Sequence, residues 1–274
     1  MDYQVLNNGV KIPVLGLGVF RMDDENEAYK SVRTAIDLGY RHIDTAMIYE
    51  NEEPVGKAIR ESGVNREDFF VTTKLWNDDI KKGNAQNALE TSLKKLGLDY
   101  IDLYLVHWPI KDKYVSIWED MEKIAATDKV CAVGVSNYQE KHLKEVLDLG
   151  TLVPAVNQIE LHPYLSQKKL VKFCAQHNIK VESWSPLCAK KNDLLNEQIL
   201  KDLGEKYSKT SAQIVLRWNV ERGLIVIPKS SNPGRQEENL NVFDFSLTAE
   251  DIEKINSLNK NMRVGPHPDV VEFQ

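Results

Sequence analysis

Along this chain, short apolar or β-branched runs alternate with longer stretches whose apolar residues recur every three or four positions. Eight short runs stand out: LGLG (15–18), RHIDT (41–45), FFVTTK (69–74), YIDLYLVHW (100–108), VCAVGVS (130–136), PAVNQIEL (154–161), IKVESWSPL (179–187) and GLIVIPKSS (223–231). Their length and β-branched content predict strands. The stretches between them, including EAYKSVRTAIDLG, EEPVGKAIRESG, NAQNALETSLKKLG, KHLKEVLDLG and KKLVKFCAQHN, carry a helical period. Several close on Gly or Asn, which tolerate the left-handed position after a helix. Eight strand–helix units close more naturally into a barrel than into an open sheet, so the expected fold is α/β, a (β/α)8 TIM barrel. Ahead of the first unit, YQVLNNGVKIP predicts a β-hairpin plugging the barrel bottom, with Asn8-Gly9 supplying the positive φ angles of a tight turn. Two extra helices are expected in LLNEQILKDLGEKY (194–207) and SLTAEDIEKINSLNK (246–260). The second opens on Ser246 or Thr248, with Glu250 or Asp251 as first-turn acids. The tail NMRVGPHPDVVEFQ has no helical period, and nothing resembles a linker, so residues 1–274 read as one domain.

Composition narrows the partners. The 274 residues are 42% hydrophobic, enough for a sizeable core, and carry a net charge of −6 with basic residues scattered. That argues against a nucleic-acid or anionic-membrane surface and for a small-molecule partner. Cys131, Cys174 and Cys188 are odd in number and widely spaced, which argues against a disulfide framework or structural zinc. The N-terminus has no basic start followed by an apolar core, and no apolar run approaches the length of a membrane span. The expectation is a cytoplasmic monomer.

In a barrel of this kind, chemistry collects at the C-terminal ends of the strands, where the following loops converge. That rule singles out Asp44 at the end of the second run, Tyr49 in the loop after it, Lys74 ending the third and His107 ending the fourth. Each has a plainer alternative. Asp44 could cap a helix, Tyr49 could pack as an amphipathic ring, and His107 between Val106 and Trp108 could be a satisfied core histidine. Lys74 is harder to dismiss, because an ammonium after five apolar or β-branched residues is desolvated unless a carboxylate pairs with it. Asp44 is the obvious partner. GLGVFR (16–21) starts like a dinucleotide-binding fingerprint but has Arg21 where the third glycine belongs, and no helix follows at once. A more informative phosphate candidate is IPKSSNPGRQEEN (227–239), where Lys229, Ser230, Ser231 and Arg235 surround a turn before a helix N-terminus.

At this point the chain resembles the aldo-keto reductases, NADPH-dependent carbonyl reductases on a (β/α)8 barrel. The supporting strings are GLGVF, GYRHIDTAMIYENEEPVGKAI, FVTTKLW, LGLDYIDLYLVHWP, AVGVSN, VNQIELHP, SWSPL and IPKSSNPGRQEEN, in that order from the hairpin to about Pro266. The compact loop after His107 and the short tail resemble the small microbial and protist branch, with diketogulonate reductases, methylglyoxal-type reductases and prostaglandin F synthases. The resemblance implies that Tyr49, His107, Lys74 and Asp44 are catalytic. It implies that Ser136, Asn137 and Gln158 hold the nicotinamide carboxamide, that Trp184 stacks on the ring, and that Ser185 and Leu187 line the pyrophosphate path. By the same resemblance Lys229, Ser230 and Arg235 clamp the 2′-phosphate, Glu238 and Asn239 contact adenine, and Phe20, Trp76 and Trp108 wall the substrate pocket. The cofactor is NADPH/NADP+, no metal is implied, and the substrates are aldehydes and ketones: small aldehydes, dicarbonyls, quinones or keto sugars. His162 in ELHP is assigned a structural role only.

Physical chemistry supports the catalytic set independently. Carbonyl reduction delivers hydride to carbon and a proton to oxygen, so the site needs a donor neutral at rest. A tyrosine near pKa 10 is a weak one, and a cation in contact lowers its pKa toward the working pH. Lys74 would be that cation, Asp44 would keep it charged, and His107 would direct the carbonyl oxygen by a hydrogen bond. A lysine at a barrel strand end also suits a Schiff-base lyase, and that alternative stays open. A metal-dependent hydrolase fits less well, since His42-Ile43-Asp44 lacks a second histidine. A non-catalytic NADPH-sensing subunit is weakened by the unaltered catalytic positions.

Overall fold

The computed structural model describes residues 2–188 and 193–270; the last four tail residues, 271–274, lie outside that range. Strands β1 (Tyr3–Val5) and β2 (Lys11–Pro13) pair antiparallel as the expected hairpin. Its turn is longer than a two-residue one. Leu6 N donates to Val10 O (2.8 Å) and Gly9 N to Leu6 O (3.0 Å). Of the Asn8-Gly9 pair only Gly9 takes positive φ (90°), because the Asn8 side chain accepts the Val10 N–H and spreads the reversal over more residues.

The barrel follows in chain order: β3 (Leu17–Gly18), α1 (Glu25–Leu38), β4 (His42–Asp44), α2 (Glu52–Arg60), β5 (Phe70–Leu75), α3 (Asn77–Lys82), α4 (Ala85–Leu96), β6 (Ile101–Val106) and α5 (Tyr114–Ala125). It continues through β7 (Val130–Ser136), α6 (Glu140–Leu147), β8 (Val156–Glu160), α7 (Lys168–Gln176), β9 (Lys180–Trp184), α8 (Gln198–Tyr207), α9 (Ser211–Glu221), β10 (Ile225–Val226), α10 (Pro233–Leu240) and α11 (Ala249–Asn256). Strands β3 to β10 pair in parallel in sequence order. The seam between β10 and β3 is closed by Gly16 N to Val226 O (2.9 Å), Val226 N to Val14 O (2.9 Å) and Gly18 N to Pro228 O (3.2 Å). A side chain at Gly18 would sit 2.9 Å from the Ile227 carbonyl, so the seam needs glycine there. At Gly16 a side chain would instead sit 2.7 Å from the His42 ring, so the two glycines of GLGVF answer to different neighbours.

Helix ends follow local chemistry. Asp24 accepts from Glu27 N to start α1, and Gly39 (φ 105°) ends it. α11 starts on Thr248, which accepts from Asp251 N, while Ser246 is instead a partner of Arg217. α8 and α11 are the two extra helices of the sequence pattern; α9 carries a Thr210–Gln213 capping box.

Strand periodicity divides the barrel interior into layers. Side chains two apart share a face, so β4 points His42 and Asp44 inward and β5 points Phe70, Thr72 and Lys74 inward. At the strand starts, Leu6 and Ile12 of the hairpin region pack with Phe70, Leu103, Ala132 and Ile225 into an apolar plug. Above the plug, beside Leu105, lie polar side chains bonded to one another: His42 Nε2 is 3.3 Å from Thr72 Oγ1, and Gln158 Nε2 donates to Glu182 Oε2 at 2.9 Å. The larger apolar core lies outside, between strands and helices, and includes Trp118, Trp218 and Tyr104.

Candidate active site

Asp44 ends β4, and the chain then makes one 3-10 turn, Met47–Tyr49, before α2. The turn is tied down by Asn51. Its amide oxygen accepts from Thr45 Oγ1 (2.7 Å), and its nitrogen donates to the carbonyls of Val19 (3.0 Å) and Met22 (3.3 Å) in the neighbouring loop. Tyr49 is thereby set over the end of β5. There the Lys74 Nζ spends its three protons on Asp44 Oδ1 (2.7 Å), the Thr45 carbonyl (2.8 Å) and the Tyr49 hydroxyl (3.4 Å). Asp44 is therefore an ion-pair partner and not a helix cap. Its second oxygen accepts from Gln158 Nε2 at 2.7 Å.

Burial and charge compete at Lys74, Asp44 and Tyr49. Burial is the largest single influence on Lys74 and works against its charge, but Asp44, Tyr49 and Glu182 together outweigh it and the pKa is raised. Burial also pushes the Asp44 carboxyl up, opposed by Lys74 and Gln158. The ion pair is the consistent ground state, because both carboxylate oxygens receive a donor. The Tyr49 hydroxyl departs from the sequence expectation: burial raises its pKa, and Lys74 at 3.4 Å only partly offsets that. A charged Lys74 with every proton engaged is also a poor amine nucleophile, which counts against Schiff-base chemistry.

His107, just past the end of β6, completes the group. Its ring lies 5.6 Å from that of Tyr49 and 5.2 Å from that of Trp76, edge-on to both. Burial, reinforced by Lys74, drives its pKa well down, so the imidazole is neutral. Its carbonyl is held by Asn137 Nδ2 at 3.0 Å. Phe20 tilts over Tyr49 at 4.9 Å and is half exposed, whereas Trp108 is 7% exposed. Ile48, in the turn beside Tyr49, is 41% exposed, an apolar surface residue that the sequence reading did not single out.

The residues assigned to the cofactor fall in two groups. Ser136 Oγ donates to the Gln158 carbonyl (2.9 Å), Asn137 Nδ2 also donates to Ser136 Oγ (3.0 Å), and Trp184 Nε1 donates to Asn137 Oδ1 (2.8 Å). Ser185 follows in left-handed backbone (φ 52°), with half-buried Leu187 beyond. The second group surrounds the start of α10. Asn232 caps the helix by accepting from Arg235 N, and Lys229 and Arg235 are both exposed. Ser230 is buried, its hydroxyl bonded to the Asn232 backbone. Lys229 lies 3.8 Å from Glu27 of α1, a counter-charge the sequence did not reveal. Glu238 accepts from Thr210 Oγ1 (2.6 Å), and Asn239 is buried. Two exposed cations and backbone donors beside a helix start fit a phosphate-bearing cofactor.

Glu182 was also missed. It is fully buried in β9, accepts from Gln158 Nε2 at 2.9 Å, and lies 3.5 Å from His42 Nε2. Burial and the neighbouring Asp44 push its pKa up to about 8, and burial holds His42 down at about 3, so the contact is not an ion pair near neutral pH. The one signal in sequence was an acid on the inward face of KVESW.

The family profile described as Aldo/keto reductase family matches residues 14–260. The chain is 49% identical to the glyoxal reductase of Bacillus subtilis, covering 99% of this chain and 98% of that protein. It is 46% identical to the methylglyoxal reductase DkgA of Escherichia coli K12, covering 96% of each. Among solved structures, an aldo-keto reductase of Bombyx mori in complex with NADP superposes with a TM-score of 0.92 at 39% identity, covering 98% of this chain and 96% of that one.

Proposed function

This chain belongs to the aldo/keto reductase family, an NADP(H)-dependent oxidoreductase, and from that premise we propose that it reduces α-dicarbonyls and other small aldehydes and ketones with Tyr49 as general acid. The observation that carries this reading is the Lys74 ammonium, shared between Asp44 at 2.7 Å and the Tyr49 hydroxyl at 3.4 Å.

The chemistry follows from those distances. NADPH, when bound, supplies the hydride for the carbonyl carbon. Trp184, Asn137, Ser136 and Gln158 would hold its nicotinamide, and Lys229, Ser230 and Arg235 its 2′-phosphate. Tyr49, kept protonated at rest by burial, releases its proton to the carbonyl oxygen as charge develops there. The phenolate that forms is stabilised by Lys74, whose charge Asp44 maintains. Neutral His107 donates a ring N–H to the same oxygen and sets its direction.

Substrate size follows from the walls. Phe20, Trp76 and Trp108 offer apolar and aromatic surface around one polar point, which suits a small carbonyl compound. The similarity to the glyoxal and methylglyoxal reductases supports dicarbonyls within that class. The test is a panel of dicarbonyls, simple aldehydes, quinones and keto acids followed by loss of NADPH absorbance. Dicarbonyls should give the highest kcat/KM. Turnover of simple aldehydes above dicarbonyls would overturn the substrate class, and no NADPH oxidation with any carbonyl would overturn the activity.

A further inference from the structure

The ELHP segment and the C-terminal tail meet in a buried cluster that the carbonyl chemistry does not use. Glu160, fully buried at the end of β8, accepts the backbone N–H groups of two consecutive tail residues: Val264 at 2.5 Å on Oε1 and Gly265 at 3.2 Å on Oε2. His162 Nε2 lies 3.0 Å from Oε1, and Arg263 Nη1 lies 3.8 Å from Oε2. Farther along, the Asp269 carboxylate lies 3.1 Å from Lys141 Nζ and 3.3 Å from His142 Nε2 at the start of α6. The segment from Arg263 to Asp269 is thus a strap anchored at both ends, from the last residue of β8 to α6.

At its first anchor the strap touches Trp184. A Cβ on Gly265 would sit 2.5 Å from Trp184 Cη2 and 3.4 Å from Cζ3, so only a glycine lets the backbone lie against the benzo edge of the indole. The opposite edge is pinned by the bond from Nε1 to Asn137. One pinned edge leaves a ring free to pivot; a second contact removes that freedom. We propose that Glu160 is a positioning residue for the cofactor site: by holding the backbone of Val264 and Gly265 it fixes the tilt of Trp184, the platform for the nicotinamide ring. The proposal rests on the reading of Trp184 as that platform, and it gives His162 a role as a donor that keeps the Glu160 carboxylate in place.

The test compares two ligands by titration of the intact protein. NADPH needs the platform; 2′,5′-ADP carries the 2′-phosphate but no nicotinamide and reports only on the region of Lys229 and Arg235. Glu160→Gln turns one acceptor into a donor facing an N–H, and Gly265→Ala keeps the Glu160 side chain but places a methyl 2.5 Å from the indole edge and 3.3 Å from Glu160 Oε2, so it forces the strap off the indole. Both should weaken NADPH about 3- to 10-fold, the range of one aromatic contact, and leave 2′,5′-ADP unchanged. Unchanged NADPH affinity in both variants, or equal loss for both ligands, overturns the proposal. Trp184→Ala separates the two possible failures. If it leaves NADPH affinity intact, the platform reading falls and the latch with it. If it weakens NADPH while Glu160→Gln and Gly265→Ala do not, the latch alone is wrong.

Discussion

Replacing Lys74 by Met keeps the length of the side chain and deletes its charge. Asp44 is then left 2% exposed, with Gln158 as its one remaining side-chain donor among the described residues. Removing one partner of a buried ion pair costs about 3 to 5 kcal/mol, because the other charge stays behind unpaired. For a chain of this size that is a fall in Tm of roughly 6 to 20 °C. The unpaired carboxylate can escape by taking up a proton, so its folded-state pKa rises further in the variant. A raised carboxylate pKa means stability that is present at low pH and lost as pH rises. The deficit of Lys74→Met relative to wild type should therefore be small near pH 5 and grow toward pH 8. Adding Asp44→Asn removes the stranded charge and should recover most of the Tm without recovering reductase activity. The assay is thermal unfolding across that pH range with steady-state turnover in parallel. An unchanged Tm in Lys74→Met, or a double variant no more stable than the single one, would refute the buried-pair reasoning.

Arg235→Ala should weaken NADPH about tenfold and leave NADH almost untouched in tryptophan-quenching titrations; one charge-assisted bond to an exposed guanidinium lies near the lower end of about 1.5 to 3 kcal/mol. The preference for NADPH should shrink as salt rises. Glu182→Gln tests the second buried carboxyl: its folded pKa of about 8 stands above its ordinary value of 4.5, so Glu182 favours folding below about 4.5 and that contribution fades as pH climbs to 8. The Tm of Glu182→Gln should gain on wild type across that window, and a pH-independent difference would contradict the assignment.

The eight strands and the hairpin were legible because their signals are local: a two-residue period, a few residues of length and turn chemistry at the ends. The site was legible one level up, since the strand-end rule alone brought Asp44, Lys74 and His107 to one rim. The rest depended on distance and burial. Glu160 meets residues more than a hundred positions away, and no local pattern announces that contact. Glu182 reads as one polar residue in an alternating strand until the barrel closes around it. The sequence shows a cation to lower the pKa of Tyr49 but not the burial that raises it more.

The most direct test of the account is hydride transfer in Tyr49→Phe under single-turnover conditions, read by stopped-flow loss of NADPH absorbance with a dicarbonyl substrate. The substitution keeps the ring beneath Phe20 and removes only the hydroxyl that Lys74 contacts. General-acid assistance is worth about 100- to 10,000-fold, so the transfer rate should fall by that factor while NADPH affinity stays at the wild-type value. A variant that keeps more than roughly a tenth of the wild-type rate would contradict Tyr49 as the proton donor.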